Sequence, residues 1–139
     1  MTLLLSALTD QDTAAKLLQA GELVAVPTET VYGLAADASN PQAVAKIFVA
    51  KGRPANHPLI VHIGDLAQLS SWARDIPAQA LLLAKAFWPG PLTLLLAKAD
   101  NVSPVVTGGK DSIGIRMPAH PVLLALLQQT GLAVAAPSA

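Results

Sequence analysis

Leu23-Val24-Ala25-Val26-Pro27-Thr28-Glu29-Thr30-Val31-Tyr32-Gly33-Leu34 is the stretch from which the rest of the chain is best read. Its first residues form a short apolar run of the kind expected of a buried strand. Pro27 ends that run, because a residue without an N–H cannot donate to a sheet ladder and belongs at a strand end or edge. Hydroxyls, a carboxylate and a tyrosine then precede a glycine, where a plain surface loop would mix in Lys, Asn or Ser. Open α/β sheets place their ligands at the mouths of hydrophobic strands such as this one. The same residues also fit a strand entering a β-hairpin, its threonines favouring extended backbone.

On the N-terminal side, Thr9 reads as a helix cap with Asp12 in the third helical position, and Ala14, Ala15, Leu17 and Leu18 supply an apolar face that Gly21 ends. On the C-terminal side, Asn40-Pro41 starts a helix lined by Val44, Ile47 and Phe48 and closed by Gly52. Leu59–Ile63 reads as a buried strand. A helical region follows, cut at Asp75-Ile76-Pro77, and a second helix runs to Trp88, where Pro89-Gly90-Pro91 stops it. Leu92–Leu96 is a further strand, Asn101–Lys110 a loop and Ser112–Met117 a strand. Pro121–Gln128 is a helix ended near Gly131, and Leu132–Ala135 a last strand. Strands alternating with helices predict an α/β fold: a twisted, open mixed sheet with flanking helices.

With 139 residues, no repeat and no linker, the chain fits one domain with a real core. The hydrophobic fraction of 53% against 13% charged predicts elements buried on one or both faces. Nine basic residues balance nine acidic ones, so net charge gives no argument for nucleic acid or an anionic membrane. Without cysteine there is no disulfide framework, thiol nucleophile or sulfur-built zinc site. The N-terminus lacks a basic region ahead of its apolar residues, and no apolar run reaches the roughly 20 residues a bilayer requires. A soluble, cytoplasmic protein is the expectation.

Two places can hold chemistry. Lys51-Gly52-Arg53-Pro54 sets two cations around a glycine just after a helix, within a stretch from Asp37 to Asp65 that has no acidic residue between them. Cations at a helix C-terminus are stabilised by the macrodipole, which suffices to explain them. Gly52 and Pro54 also fix the backbone, as holding both cations on one phosphate would require. Gly108-Gly109-Lys110 lacks the spacing and the following Ser/Thr of a Walker loop. In Ser112–Met117, alternation puts Ile113, Ile115 and Met117 on one face and Ser112, Gly114 and Arg116 on the other. A buried guanidinium needs a carboxylate or phosphate. Either a ligand or an internal partner such as Glu29 satisfies that requirement. His62, in an apolar strand, reads as a hydrogen-bonded core residue. His57 and His120, each before a proline, read as turn residues, and Trp88-Pro89-Gly90-Pro91 as a ring packed at a sharp turn. No His/Asp/Glu spacing makes a metal site.

Taken together, Pro27–Leu34, Lys51–Pro54, His57–His62, Trp88–Thr93, Ile115–Pro121 and Ala136-Pro137-Ser138-Ala139 resemble the threonylcarbamoyl-AMP synthases, the YrdC-like domain. The match runs in order from about Gly21 to the last residue. The resemblance implies a concave, positively charged face and the condensation of L-threonine, bicarbonate and ATP, with Mg2+, to threonylcarbamoyladenylate and pyrophosphate. It also implies a place in making N6-threonylcarbamoyladenosine at position 37 of ANN-decoding tRNAs, in company with a threonylcarbamoyl-transfer machinery. By motif, Thr28 and His62 contact the threonine, Arg116 holds its carboxylate and Tyr32 shapes the pocket. Lys51 and Arg53 bind the ATP phosphates, and Thr107 and Ser138 help seat the nucleotide.

In the family an Asn follows the Ser of the Ala-Pro-Ser-Ala motif, and the domain continues, so these residues are expected to be roughly its first two thirds. Leu132–Ala135 is apolar throughout, as expected of a central strand with neighbours on both edges and cover on both faces. If the chain ended at Ala139, the elements that cover it are expected to be missing, leaving an apolar edge open to association. Two other functions fit the same motifs: the carbamoyl-adenylate-handling domain of a larger carbamoyltransferase, and a module that binds tRNA or double-stranded RNA without catalysis.

Overall fold

The computed structural model describes residues 2–4, 11–27, 32–52, 54 and 56–137. Thr9, Thr28, Glu29, Thr30, Val31, Arg53, Ser138 and Ala139 lie outside the described residues. The strands are β1 (Thr2–Leu4), β2 (Leu23–Pro27), β3 (Tyr32–Asp37), β4 (Ile60–His62), β5 (Ala73–Arg74), β6 (Leu94–Lys98), β7 (Ser112–Arg116) and β8 (Val134–Ala135). The helices are α1 (Gln11–Gln19), α2 (Pro41–Lys51), α3 (Leu69–Trp72), α4 (Ala78–Phe87), α5 (Pro104–Thr107) and α6 (Pro121–Thr130). They surround one mixed sheet of order β1-β2-β3-β8-β4-β7-β6-β5, in which β1/β2 and β4/β7 are parallel and the other pairs antiparallel. The expected α/β fold with a mixed sheet is what the chain adopts.

Helix boundaries follow local chemistry. The Asn40 side chain accepts from the N–H groups of Gln42 and Ala43 at 3.1 and 3.2 Å, Pro41 opens α2, and Gly52 closes it at φ 62°. His120 caps α6 by accepting from the Val122 N–H at 3.2 Å, and Gly131 ends that helix in the left-handed region. The region read as the loop Asn101–Lys110 contains α5, because Ser103 caps it and Pro104 occupies its first position. Two residues after α3 form β5, too short for any periodicity to reveal. The strand read at Leu92–Leu96 is displaced to Leu94–Lys98, since Leu92 O is instead the acceptor of the Trp88 indole N–H.

One face of the sheet is fully covered. Leu34, Ala36, Val61, Leu94, Leu96, Ile113, Ile115 and Ala135 point there, against residues of α2, α3, α4 and α5 such as Ile47, Phe48, Trp72 and Val106. The other face is covered only in part. Leu18 and Ala14 of α1 and Leu123, Leu126 and Leu127 of α6 close over Val24, Val26, Ala35 and Val134 of β2, β3 and β8. Burying each large aliphatic side chain stabilises by about 1.5–3 kcal/mol, which fixes both helices there. Beyond β8 the same face opens: Ile60 is 40% and Leu95 72% exposed, flanking Gly114 in one row across β4, β7 and β6.

The last strand takes the central, covered place that its apolar letters imply, and the bare edge expected of a chain ending at Ala139 is corrected by this topology. β8 lies between β3 and β4, bonded on both edges, and Val134 and Ala135 are both 0% exposed. Long-range pairing, which a strand's own letters do not encode, decides its place.

Candidate active site

The two parallel strands β4 and β7 end side by side. His62 and Arg116, their last residues, are register partners and therefore project from the same face. That face is the half-covered one, because His62 also pairs with Val134, whose side chain packs under α6. His62 thus sits at the rim of the covered half and Arg116 one strand further into the open half. This juxtaposition lies at the strand C-termini, where ligands bind in open α/β sheets.

The His62 imidazole is 4% exposed, and its Nδ1 has no hydrogen-bond partner among the described residues. Burial, opposed in part by a bond with the Ala136 backbone, pushes its pKa down to about 4. The ring is consequently neutral at physiological pH and offers an unfilled polar atom, which is costly in a plain core. Arg116 is partly buried and its Nε donates to the Gly90 carbonyl at 3.1 Å. Burial lowers its pKa as well, though a guanidinium stays charged.

Backbone from two other motifs closes on this pair. Pro137 O accepts from the Leu34 N–H at 2.8 Å, and Ala136 lies against His62, so the Ala136-Pro137 segment runs beside Gly33 and Leu34. Tyr32, 41% exposed, ends the β2–β3 ladder opposite Pro27, at the mouth of that hairpin. The strands on either side of the threonine-rich stretch pair antiparallel, as the hairpin reading expects. Thr28 and Ser138 lie outside the described residues.

Lys51 and Thr107 lie on other elements, Lys51 at the end of α2 and Thr107 at the end of α5. Lys51 closes α2, and the chain after it runs through Asn56 and His57 to Leu59, whose N–H donates to Val106 O at 2.9 Å. Gly108, at φ 63°, lies so close to this segment that a Cβ would overlap the Asn56 carbonyl, so the left-handed turn after α5 admits no side chain. Thr107 is 1% exposed and its hydroxyl donates to Pro104 O at 3.5 Å, within its own turn. The Leu59–Val106 bond sets the end of α5 at the start of β4, about 10 Å at strand rise from His62 at its end. Arg53 is outside the described residues. Lys46, the neighbouring cation on α2, is held by Glu22 at 3.2 Å and the Gly21 carbonyl at 2.8 Å.

Reading the residues alone took His62 for a core histidine. Its burial fits that reading. So does its bond with the Ala136 backbone, whereas an Nδ1 without a partner among the described residues and the register with Arg116 are not visible without the strand pairing. His120 is a helix cap rather than a simple turn residue. Among the described residues no group of three or more His, Cys, Asp or Glu could hold a metal ion, and no helix is long and apolar enough to cross a membrane.

Residues 16–139 match the family model Sua5_yciO_yrdC, described as telomere recombination. The chain is 54% identical over 126 residues to the threonylcarbamoyl-AMP synthase of Pyrococcus abyssi and 56% identical over 127 residues to that of Bacillus subtilis. In both cases the match covers 91% of this chain and 37% of the relative, so the chain spans little more than a third of their length. The crystal structure of P. abyssi Sua5 complexed with L-threonine superposes with a TM-score of 0.91 at 48% identity, over 99% of this chain and 41% of that one. With its sheet, its motifs and these likenesses in agreement, the chain belongs to the Sua5/YciO/YrdC family.

Proposed function

We propose that residues 1–139 are the first two thirds of a YrdC-like catalytic domain that makes L-threonylcarbamoyladenylate. The amine of L-threonine takes up bicarbonate with loss of water to give a carbamate. A carbamate oxygen then attacks the α-phosphorus of ATP, forming a mixed anhydride as the bond to pyrophosphate breaks. Two anions must meet in that step, so fixed cations supply much of the catalysis.

The observation that carries this reading is the pairing of His62 with Arg116 at the ends of parallel strands, beside the Leu34–Pro137 backbone. The P. abyssi protein, so similar over this region, is one crystallised with L-threonine. In the proposed site Arg116 holds the amino-acid carboxylate, and His62 and Thr28 contact the rest of the threonine. Tyr32 lines the mouth. Lys51 and Arg53 take the triphosphate, and Thr107 and Ser138 support the nucleotide, Thr107 through the turn that carries Gly108. Mg2+ in this scheme enters on the ATP phosphates. The product is a mixed anhydride and must be consumed by a threonylcarbamoyl-transfer machinery acting on adenosine 37 of tRNA, in the cytoplasm.

The test is pyrophosphate release by the full-length protein with ATP and Mg2+. It should require both L-threonine and bicarbonate. Release with carbamoyl phosphate in place of threonine would instead identify a carbamoyltransferase domain, and RNA binding without release a non-catalytic module.

A further inference from the structure

The turn from Trp88 to Leu92 takes no part in the proposed chemistry, yet it is bonded to the residue that does. Arg116 Nε donates to Gly90 O at 3.1 Å, and the Gly90 N–H donates to Met117 O at 2.9 Å. Gly90 is thus tied twice to the end of β7. The turn is closed from behind by the Trp88 indole, 9% exposed, whose Nε1–H donates to Leu92 O at 2.7 Å. A Cβ on Gly90 would lie 2.5 Å from the Phe87 carbonyl at the end of α4, so the peptide has one place to sit. Its carbonyl is an acceptor held by α4 on one side and β7 on the other.

A long arginine side chain can present its planar fork in many orientations, and pairing with a planar carboxylate requires one. Bonding Nε to an immobile carbonyl removes rotation about the last side-chain torsions and sets that plane. We propose that the Trp88–Leu92 turn is a positioning device for Arg116. The Gly90 carbonyl orients the guanidinium toward a carboxylate, which makes Gly90 and Trp88 determinants of selectivity for an amino acid with a free α-carboxylate. The selectivity half rests on the threonine reading above. The hydrogen bond does not.

Two variants of the full-length protein test it. Gly90→Ala forces the turn away from Phe87 and moves the carbonyl. Trp88→Phe keeps an aromatic ring in place but deletes the bond to Leu92, and guards against a Gly90→Ala protein that fails to fold. The first readout is solvent exchange of the Arg116 Nε–H by NMR, the resonance being assigned by its loss in Arg116→Lys. Exchange in wild type should be at least about tenfold slower than in either variant. The second readout is kinetic. The KM for L-threonine should rise about tenfold while kcat and the KM for ATP stay within about twofold, as expected when a bidentate charged pair is misaligned. The preference for L-threonine over L-threoninamide should fall by the same factor. A wild-type Nε–H that exchanges freely overturns the positioning role, as does a threonine KM unchanged in both variants, and either leaves the proposed reaction standing. Equal losses for threonine and threoninamide, or for threonine and ATP, also overturn it, since they report general damage to the site. Slow Nε–H exchange beside pyrophosphate release that ignores threonine overturns the proposed reaction and the selectivity half with it.

Discussion

Lowering the pH should unfold this protein through His62 more than through any surface group, and the amount can be worked out. The imidazole is 4% exposed, and burial lowers its pKa from 6.5 to about 4. At about 1.36 kcal/mol per unit, that displacement corresponds to about 3 kcal/mol. The folded state binds the proton less readily than the unfolded chain does. The stability is therefore fully present above pH 6.5 and is lost as pH falls from 6.5 toward 4. Linkage puts the loss at about 2 kcal/mol by about pH 5, a large share of the roughly 5–15 kcal/mol that holds a domain together. The assay is urea denaturation of wild type and His62→Asn at about pH 8 and about pH 5. The variant removes the titration and keeps a polar group, and the difference between the two proteins cancels other groups that titrate. Wild type should lose about 2 kcal/mol more than the variant. Parallel losses, or an imidazole NMR titration with its midpoint near 6.5, would refute the reasoning.

Lys51→Ala should leave the melting temperature within about 2 °C, because a partly exposed cation at a helix end contributes little to folding; pyrophosphate release should nevertheless fall about a hundredfold. Gly108→Ala should cost about 2 kcal/mol or more in chemical denaturation, since the position combines φ 63° with backbone overlap at Asn56. Leu127→Ala, in a side chain 0% exposed between α6 and the sheet, should cost about 2–5 kcal/mol by the same assay. Arg116→Lys keeps the charge but loses the planar fork, and should raise the KM for threonine while leaving that for ATP in place.

The fold was legible where chain punctuation is local. Asn40-Pro41 and Gly52 bracket α2, and Gly131 ends α6, because each residue satisfies backbone groups within one turn of itself. The alternation Ser112, Gly114, Arg116 against Ile113, Ile115 was legible for the same reason, and burial follows it residue by residue. What the letters did not carry is which strand lies beside which. The apolar run Leu132–Ala135 announces a central strand, but not that its neighbours are β3 and β4, whose residues lie far away in the chain. That pairing shows that the last strand is covered on both edges and that His62 stands beside Arg116. The family motifs named His62 where physical reading of the residues had passed over it. Its register with Arg116 supplies the geometric reason.

The half-covered face also explains how one sheet can be stable and still carry a site. If α1 and α6 lay over all of it, the row Ile60-Gly114-Leu95 would be packed and Arg116 would lie beneath a helix, closed to an arriving ligand. If they covered none of it, His62 would be solvated, its pKa near 6.5, and its proton exchanging in the physiological range. Placing the boundary between β8 and β4 gives each residue the environment its proposed task requires. His62 is buried enough to be kept neutral, so it can offer a ring nitrogen to a polar ligand without adding charge. Arg116, one strand outward, remains a cation within reach of an arriving anion. Acid–base chemistry is therefore not what this pair is built for: a histidine at about 4 and a guanidinium have no proton to trade near neutrality. The capacity proposed for the pair is recognition of a small polar anion. In the proposed reaction the work on phosphorus is then left to other cations, Lys51 first among them.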